Sequence, residues 1–142
     1  MKRNASLLIA GLVAGGLAIA AALAQDSKGG PDEWVAPARA AKKKNPVEVN
    51  EASLAKGKSV YVKECASCHG DKGKGDGPAV KDLEKKPGDL TIAKVLDQTD
   101  GALFWKITEG RKPMASYETT LSEEDRWNVI NYFRTLAPKP AK

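Results

Sequence analysis

Glu64–Val80 reads ECASCHGDKGKGDGPAV, and the reading of the whole chain turns on it. Both cysteines, Cys65 and Cys68, and the only histidine, His69, stand within five consecutive positions of that run. Cys-x-x-Cys-His is the attachment pattern of a c-type haem. Each cysteine sulfur can add to one vinyl group of the porphyrin, and two intervening residues match the separation of the vinyls. The next residue is then carried under the iron, where an imidazole nitrogen binds as proximal ligand. Cys65 and Cys68 are therefore the expected thioether residues, and His69 the expected proximal ligand, of one covalent haem c.

The competing explanations each leave something over. A structural zinc site takes four ligands, usually Cys and His, and the chain has three such residues. A thioredoxin-like Cys-x-x-Cys sits in a βαβ setting, of which the sequence carries no sign. A disulfide between Cys65 and Cys68 would give His69 no reason to be there.

Downstream, Gly70, Gly73, Gly75, Gly77, Pro78, Pro87 and Gly88 predict a long loop over 70–90, with a short helical turn near Val80–Glu84. A helix is expected from about Asp100, carrying Leu103, Phe104 and Ile107 and ending at Gly110. The last helix opens at Ser122, with Asp125 three residues on as in a capping box. It turns Trp127, Val129, Ile130, Phe133 and Leu136 inward, and Pro138 stops it. Between these two helices lies Met114, in GRKPMASY. A lone Met is ordinarily core filler, yet this one stands in a polar loop, 45 residues past His69, far enough to reach the other haem face. Met114 is the expected distal ligand. An open sixth position, or a lysine such as Lys112, is the alternative.

Upstream, Leu54, Gly57, Tyr61 and Cys65 recur at helical spacing behind a Ser53 cap. Residues 25–50, rich in Gly, Pro, Ala and Lys, show no sustained period and read as an extended arm, with Trp34 expected to pack on the body. The chain opens with Lys2 and Arg3, then 18 uncharged, largely apolar residues from Leu7 to Ala24, closing on Ala22-Leu23-Ala24 before Gln25. That is a signal-peptide pattern with a small-x-small cleavage site. Its length also just reaches the membrane-spanning range, so an uncleaved anchor is the other reading. Either way the domain is expected outside the cytoplasm, in the periplasm or on the outer face of the membrane.

The formal charge of +5 says little about the body. From 51 to 137 there are 14 Lys/Arg against 14 Asp/Glu, and the surplus sits in Lys42–Lys44, Lys139 and Lys142. No folded face gathers basic residues as a nucleic-acid surface requires, so no nucleic-acid partner is expected. Aromatics make up 6% of the residues and charged side chains 29%, so a bound apolar group would supply core volume. No strand-rich stretch or internal repeat is present, and an all-α domain of three main helices joined by long loops is predicted.

From Ser53 to Ala137 these features together resemble the small class I c-type cytochromes of bacterial electron-transport chains. In that family a glycine and an aromatic precede the first cysteine by eight and four residues, as Gly57 and Tyr61 do here. They let the first helix cross closely over the last, where Val129 and Tyr132 fit the facing places. The resemblance implies that the Pro78 carbonyl accepts a hydrogen bond from the His69 ring and that Val80 lines the haem crevice. One departure stands out: the family usually has Pro directly after the ligand Met, whereas here Pro113 precedes Met114 and Ala115 follows.

The expected divisions are a leader over 1–24, an arm over 25–50, a cytochrome c domain over 51–137 and a basic tail over 138–142. The implied function is one-electron transfer between redox donor and acceptor proteins, with no substrate transformed. Val80, Leu90, Leu103 and Ile107 are the expected apolar crevice lining. Lys72, Lys74, Arg111 and Lys112 are candidate docking charges, though Asp71, Asp76 and Glu109 stand among them. Two alternatives differ in kind. One is a haem subunit held in a larger respiratory or dehydrogenase complex, with residues 7–24 or that complex as the only route to a membrane. The other is a ligand-binding haem protein with an open sixth site.

Overall fold

A computed structural model describes residues 33–138. The leader, residues 25–32 of the arm and Lys139–Lys142 lie outside the described residues. The described elements are α1 (Ala38–Ala41), α2 (Glu51–Glu64), α3 (Ala66–His69), a 3-10 turn (Pro78–Asp82), α4 (Ala93–Leu96), α5 (Asp100–Glu109) and α6 (Glu123–Arg134), with no strand among them. The fold is all-α and cytochrome c-like, as the sequence predicts.

The helix starts follow from capping. For α2 the cap is Asn50, not Ser53. The Asn50 side chain accepts from the Ser53 N–H at 2.9 Å, while the Ser53 hydroxyl accepts from the Asn50 N–H at 3.1 Å. Two otherwise orphaned donors are satisfied reciprocally, and Ser53 is the third helical residue. For α5, Thr99 accepts from the Ala102 N–H; for α6, Ser122 accepts from the Asp125 N–H. The short turn expected at Val80–Glu84 forms two residues earlier, because Pro78 pre-sets the first helical φ.

The core sits where α2 crosses α6. Gly57 makes the crossing: a Cβ there would overlap the Asn128 carbonyl and crowd Tyr132. Just past that contact the Tyr61 and Tyr132 rings meet at 5.4 Å. Trp127, Ile130, Val129 and Tyr61 are fully buried around it. Burying such side chains contributes roughly 1.5–3 kcal/mol apiece. On the next face of α6, Trp127 stacks on Phe104 of α5 with centroids 3.9 Å apart and planes 17° from parallel. Arg134 ties the far end of α6 to the start of α5. Its guanidinium pairs with Asp100 at 2.6 Å and donates to the carbonyls of Leu96 and Gln98.

The segment read as an extended arm is packed in its described part. It contains the single turn α1, which lies on α5. The Ala41 carbonyl accepts from the Thr99 hydroxyl at 2.7 Å, and Asn45 donates to Asn131 at 2.8 Å. Gly101 is the close approach, since a Cβ there would strike the backbone of Ala40 and Lys43. Composition showed no period because this contact runs through backbone groups rather than an apolar stripe.

Candidate haem site

The attachment motif lies at a helix break. After α2 ends at Glu64, Cys65 leaves ideal helical geometry (φ −115°, ψ −38°) and Ala66–His69 form one further turn. Hydrogen bonds from two tyrosines, one on each side, hold this turn. Tyr61 donates to the Gly70 carbonyl at 2.7 Å, directly after His69, and Tyr117 donates to the Glu64 carbonyl at 2.7 Å, directly before Cys65. Burial raises the pKa of both phenols, Tyr117 to about 12, so both stay protonated donors. The sequence reading gave Tyr61 only its part in the helix crossing and missed Tyr117. The one available signal was that an aromatic in a polar loop must pack against something.

His69 is oriented from the loop. Its Nδ1 lies 3.2 Å from the Gly88 carbonyl. A carbonyl only accepts, so Nδ1 carries the proton and Nε2 keeps its lone pair. Burial lowers the His69 pKa, partly opposed by this bond, and holds the ring in the neutral form that binds a metal. The bond corrects the expectation for Pro78. The 3-10 turn beginning at Pro78 runs behind α3, where Gly77 packs on the Ala66 and Ser67 backbone, so neither Pro78 nor Val80 lines the crevice. The chain returns later, and Leu83, Pro87 and Gly88 take those places.

Two adjoining cavities, of about 280 and 190 Å³, meet at this motif. Cys65, His69, Gly88, Met114 and Trp34 line both, and Cys68 lines the first. The inner one is walled by Leu90, Val95, Leu103, Ile107, Val129 and Phe133, which includes three of the four apolar residues expected there. Met114 comes from a turn in which its N–H donates to the Arg111 carbonyl at 2.9 Å, after a cis Lys112–Pro113 peptide. That turn is docked by Gly110, whose φ of +67° and contact with Ala115 leave no room for a side chain. Burial, then Glu64 and Cys68, pushes the Cys65 thiol up to about 12, so it is a neutral thiol.

The charges expected at the mouth divide. Arg111 and Lys112 line the outer cavity, joined by Lys85 and Lys86, while Lys72 and Lys74 do not reach it. Among the described residues no group of three or more His, Cys, Asp or Glu could hold a bare metal ion. The donor set here is two thiols, one neutral imidazole and one thioether around an apolar crevice. Set in an apolar crevice, these groups fit a haem.

A family model described as cytochrome c oxidase, cbb3-type, subunit III, matches residues 52–133. The chain belongs to this family. It is a c-type cytochrome domain, and that membership implies haem c binding and electron transfer. Among solved structures the cytochrome domain is similar to a chain in the Kuenenia stuttgartiensis reducing HAO-like protein complex Kustc0457/Kustc0458. The match has a TM-score of 0.59 and 30% identity, covering 66% of this chain and 47% of that one. This chain therefore spans about half the length of that relative. A second similar structure is titled KustC0563 c-type cytochrome (TM-score 0.49, 20% identity, 58% of this chain and 98% of that chain). Comparison with curated proteins gives no match.

Proposed function

We propose that the protein is an exported, monohaem one-electron carrier. Cys65 and Cys68 hold the haem through thioethers, His69 binds the iron from one side, and Met114 supplies the sixth ligand. When bound, a haem of this ligation supplies a ferric/ferrous couple of raised potential. The chain's own residues do the rest. Gly88 fixes the imidazole, Tyr61 and Tyr117 fix the attachment turn, Leu90, Leu103 and Ile107 exclude water, and the Arg111 carbonyl holds the Met114 backbone. Met114 as sixth ligand would leave peroxide no open position at the iron. The observation that carries this reading is that one crevice brings together Cys65, Cys68, His69 and Met114.

Attachment is tested by mass spectrometry of protein matured in an export-competent host. The expected result is a gain of one haem mass that survives denaturation. Cys65→Ala and Cys68→Ala should each leave one thioether and a shifted haemochrome band. Haem that washes away in acid would overturn covalent attachment. Cleavage after Ala24 is read from the same spectra, and an intact leader would support the anchored form.

A second reading is a haem subunit fixed in a larger complex, favoured by the family's description and by the neighbour's printed complex. Partner docking separates the two. Lys85, Lys86 and Lys112 at the crevice mouth suit an acidic patch on a freely diffusing redox protein. Replacing them with Ala should slow association and flatten its salt dependence. Rates indifferent to both the substitutions and salt would favour the fixed subunit.

A further inference from the structure

Trp34 stands 18 residues before the family-matched region begins, yet it walls both cavities at the attachment motif beside His69 and Met114. Its surroundings form a built cluster. The Trp34 ring tilts against Trp105 of α5 at 6.3 Å and 60°. The Lys106 ammonium lies 5.6 Å, and the Arg111 guanidinium 5.1 Å, from the Trp34 centroid. Cation–π contacts of this kind strengthen as water is excluded. Lys106 also donates to Gln98. Arg111 is in turn the residue whose carbonyl accepts the Met114 N–H. A physical chain thus runs from Trp34 through Arg111 to Met114. The segment carrying Trp34 is fastened separately at Thr99, Gly101 and Asn131, which are not among the residues lining either cavity.

We infer that Trp34 is a positioning residue for the Met114 side of the haem site, closing the crevice and holding the ligand turn through Arg111. The inference rests on the haem reading above and deepens it. Water at an iron site favours the more charged ferric state, so an aromatic wall that excludes water raises the potential. A wall braced on the Met114 turn also opposes the opening that lets an external ligand displace Met114.

The test uses the full holoprotein and three variants, Trp34→Ala, Trp34→Phe and Asn45→Ala. Three quantities are measured: midpoint potential, the rate of cyanide binding to the ferric form, and melting temperature. Trp34→Ala should lower the potential and speed cyanide binding about tenfold, the scale of one lost aromatic contact. Trp34→Phe should restore most of both. Asn45→Ala loosens the same segment through Asn131 and should lower only the melting temperature. Parental potential and cyanide rate in Trp34→Ala would overturn the inference, as would equal effects from Asn45→Ala. Failure of the underlying reading looks different: the parent itself would bind cyanide as fast as Met114→Ala.

Discussion

The α2–α6 crossing and the wall that carries Met114 are held together by different forces. At the crossing, Tyr61, Trp127, Val129 and Ile130 are almost wholly withdrawn from solvent and bury one another, around a glycine where a Cβ would overlap the Asn128 carbonyl. The wall is a succession of turns at 70–92 and 110–121 whose side chains are mostly exposed, with Leu83, Leu90, Met114 and Tyr117 half-buried. It is fixed instead by single hydrogen bonds to backbone carbonyls: Leu90 to Gly73, Tyr117 to Glu64, Met114 to Arg111. The crossing therefore holds stability, and the wall holds geometry. Damage to the first should unfold the domain, whereas damage to the second should retune the iron in a folded protein.

That contrast can be broken most sharply at Trp127. Trp127→Ala removes the ring stacked on Phe104 and leaves a large cavity, and should destabilise the holoprotein by about 3–5 kcal/mol in denaturant titration. A loss under about 1 kcal/mol would mean that the haem rather than the crossing carries the fold. Next comes Gly57→Ala, with a loss of about 2–3 kcal/mol, because the added methyl must push α2 and α6 apart. Its absorption spectrum should stay parental. A changed spectrum with parental stability would reverse the assignment of roles.

On the wall side, Tyr117→Phe removes one hydrogen bond and should lower stability by only about 1 kcal/mol. The same phenol gives a pH signature. Its pKa is raised from 10.0 to about 12, so the folded state binds the proton more tightly than the unfolded state does. The stabilisation is fully present below pH 10 and is lost as the pH rises towards 12. Tyr117→Phe should make alkaline unfolding shallower across that window, as followed by circular dichroism. An unaltered alkaline limb would remove Tyr117 from its place beside Cys65.

The same division governs what was legible in the sequence. Trp127, Val129, Ile130 and Phe133 announce an inward face by their spacing, and Ser122 announces where it starts, so α6 was readable in detail. Cys65, Cys68 and His69 stand out in the sequence because the attachment pattern fixes their spacing, and the structure brings all three to one crevice. The wall was not. Gly88 has no side chain to advertise its carbonyl, and Pro78, which carried the expected role, is turned behind α3. Trp34 and Tyr117 reach the site across long sequence separations with no periodic pattern. Such contacts are settled by tertiary packing, which a local pattern does not encode.

The central claim is that Met114 completes the iron's coordination, and the optical spectra of parent and Met114→Ala holoproteins test it most directly. The account predicts sharp low-spin bands in the parent, with a weak sulfur-to-iron band at the red end that disappears in Met114→Ala. Carbon monoxide should bind the ferrous variant readily and the parent poorly. A parent that is already high-spin, or a red band that survives the substitution, would contradict the claim and return Met114 to the role of a wall residue.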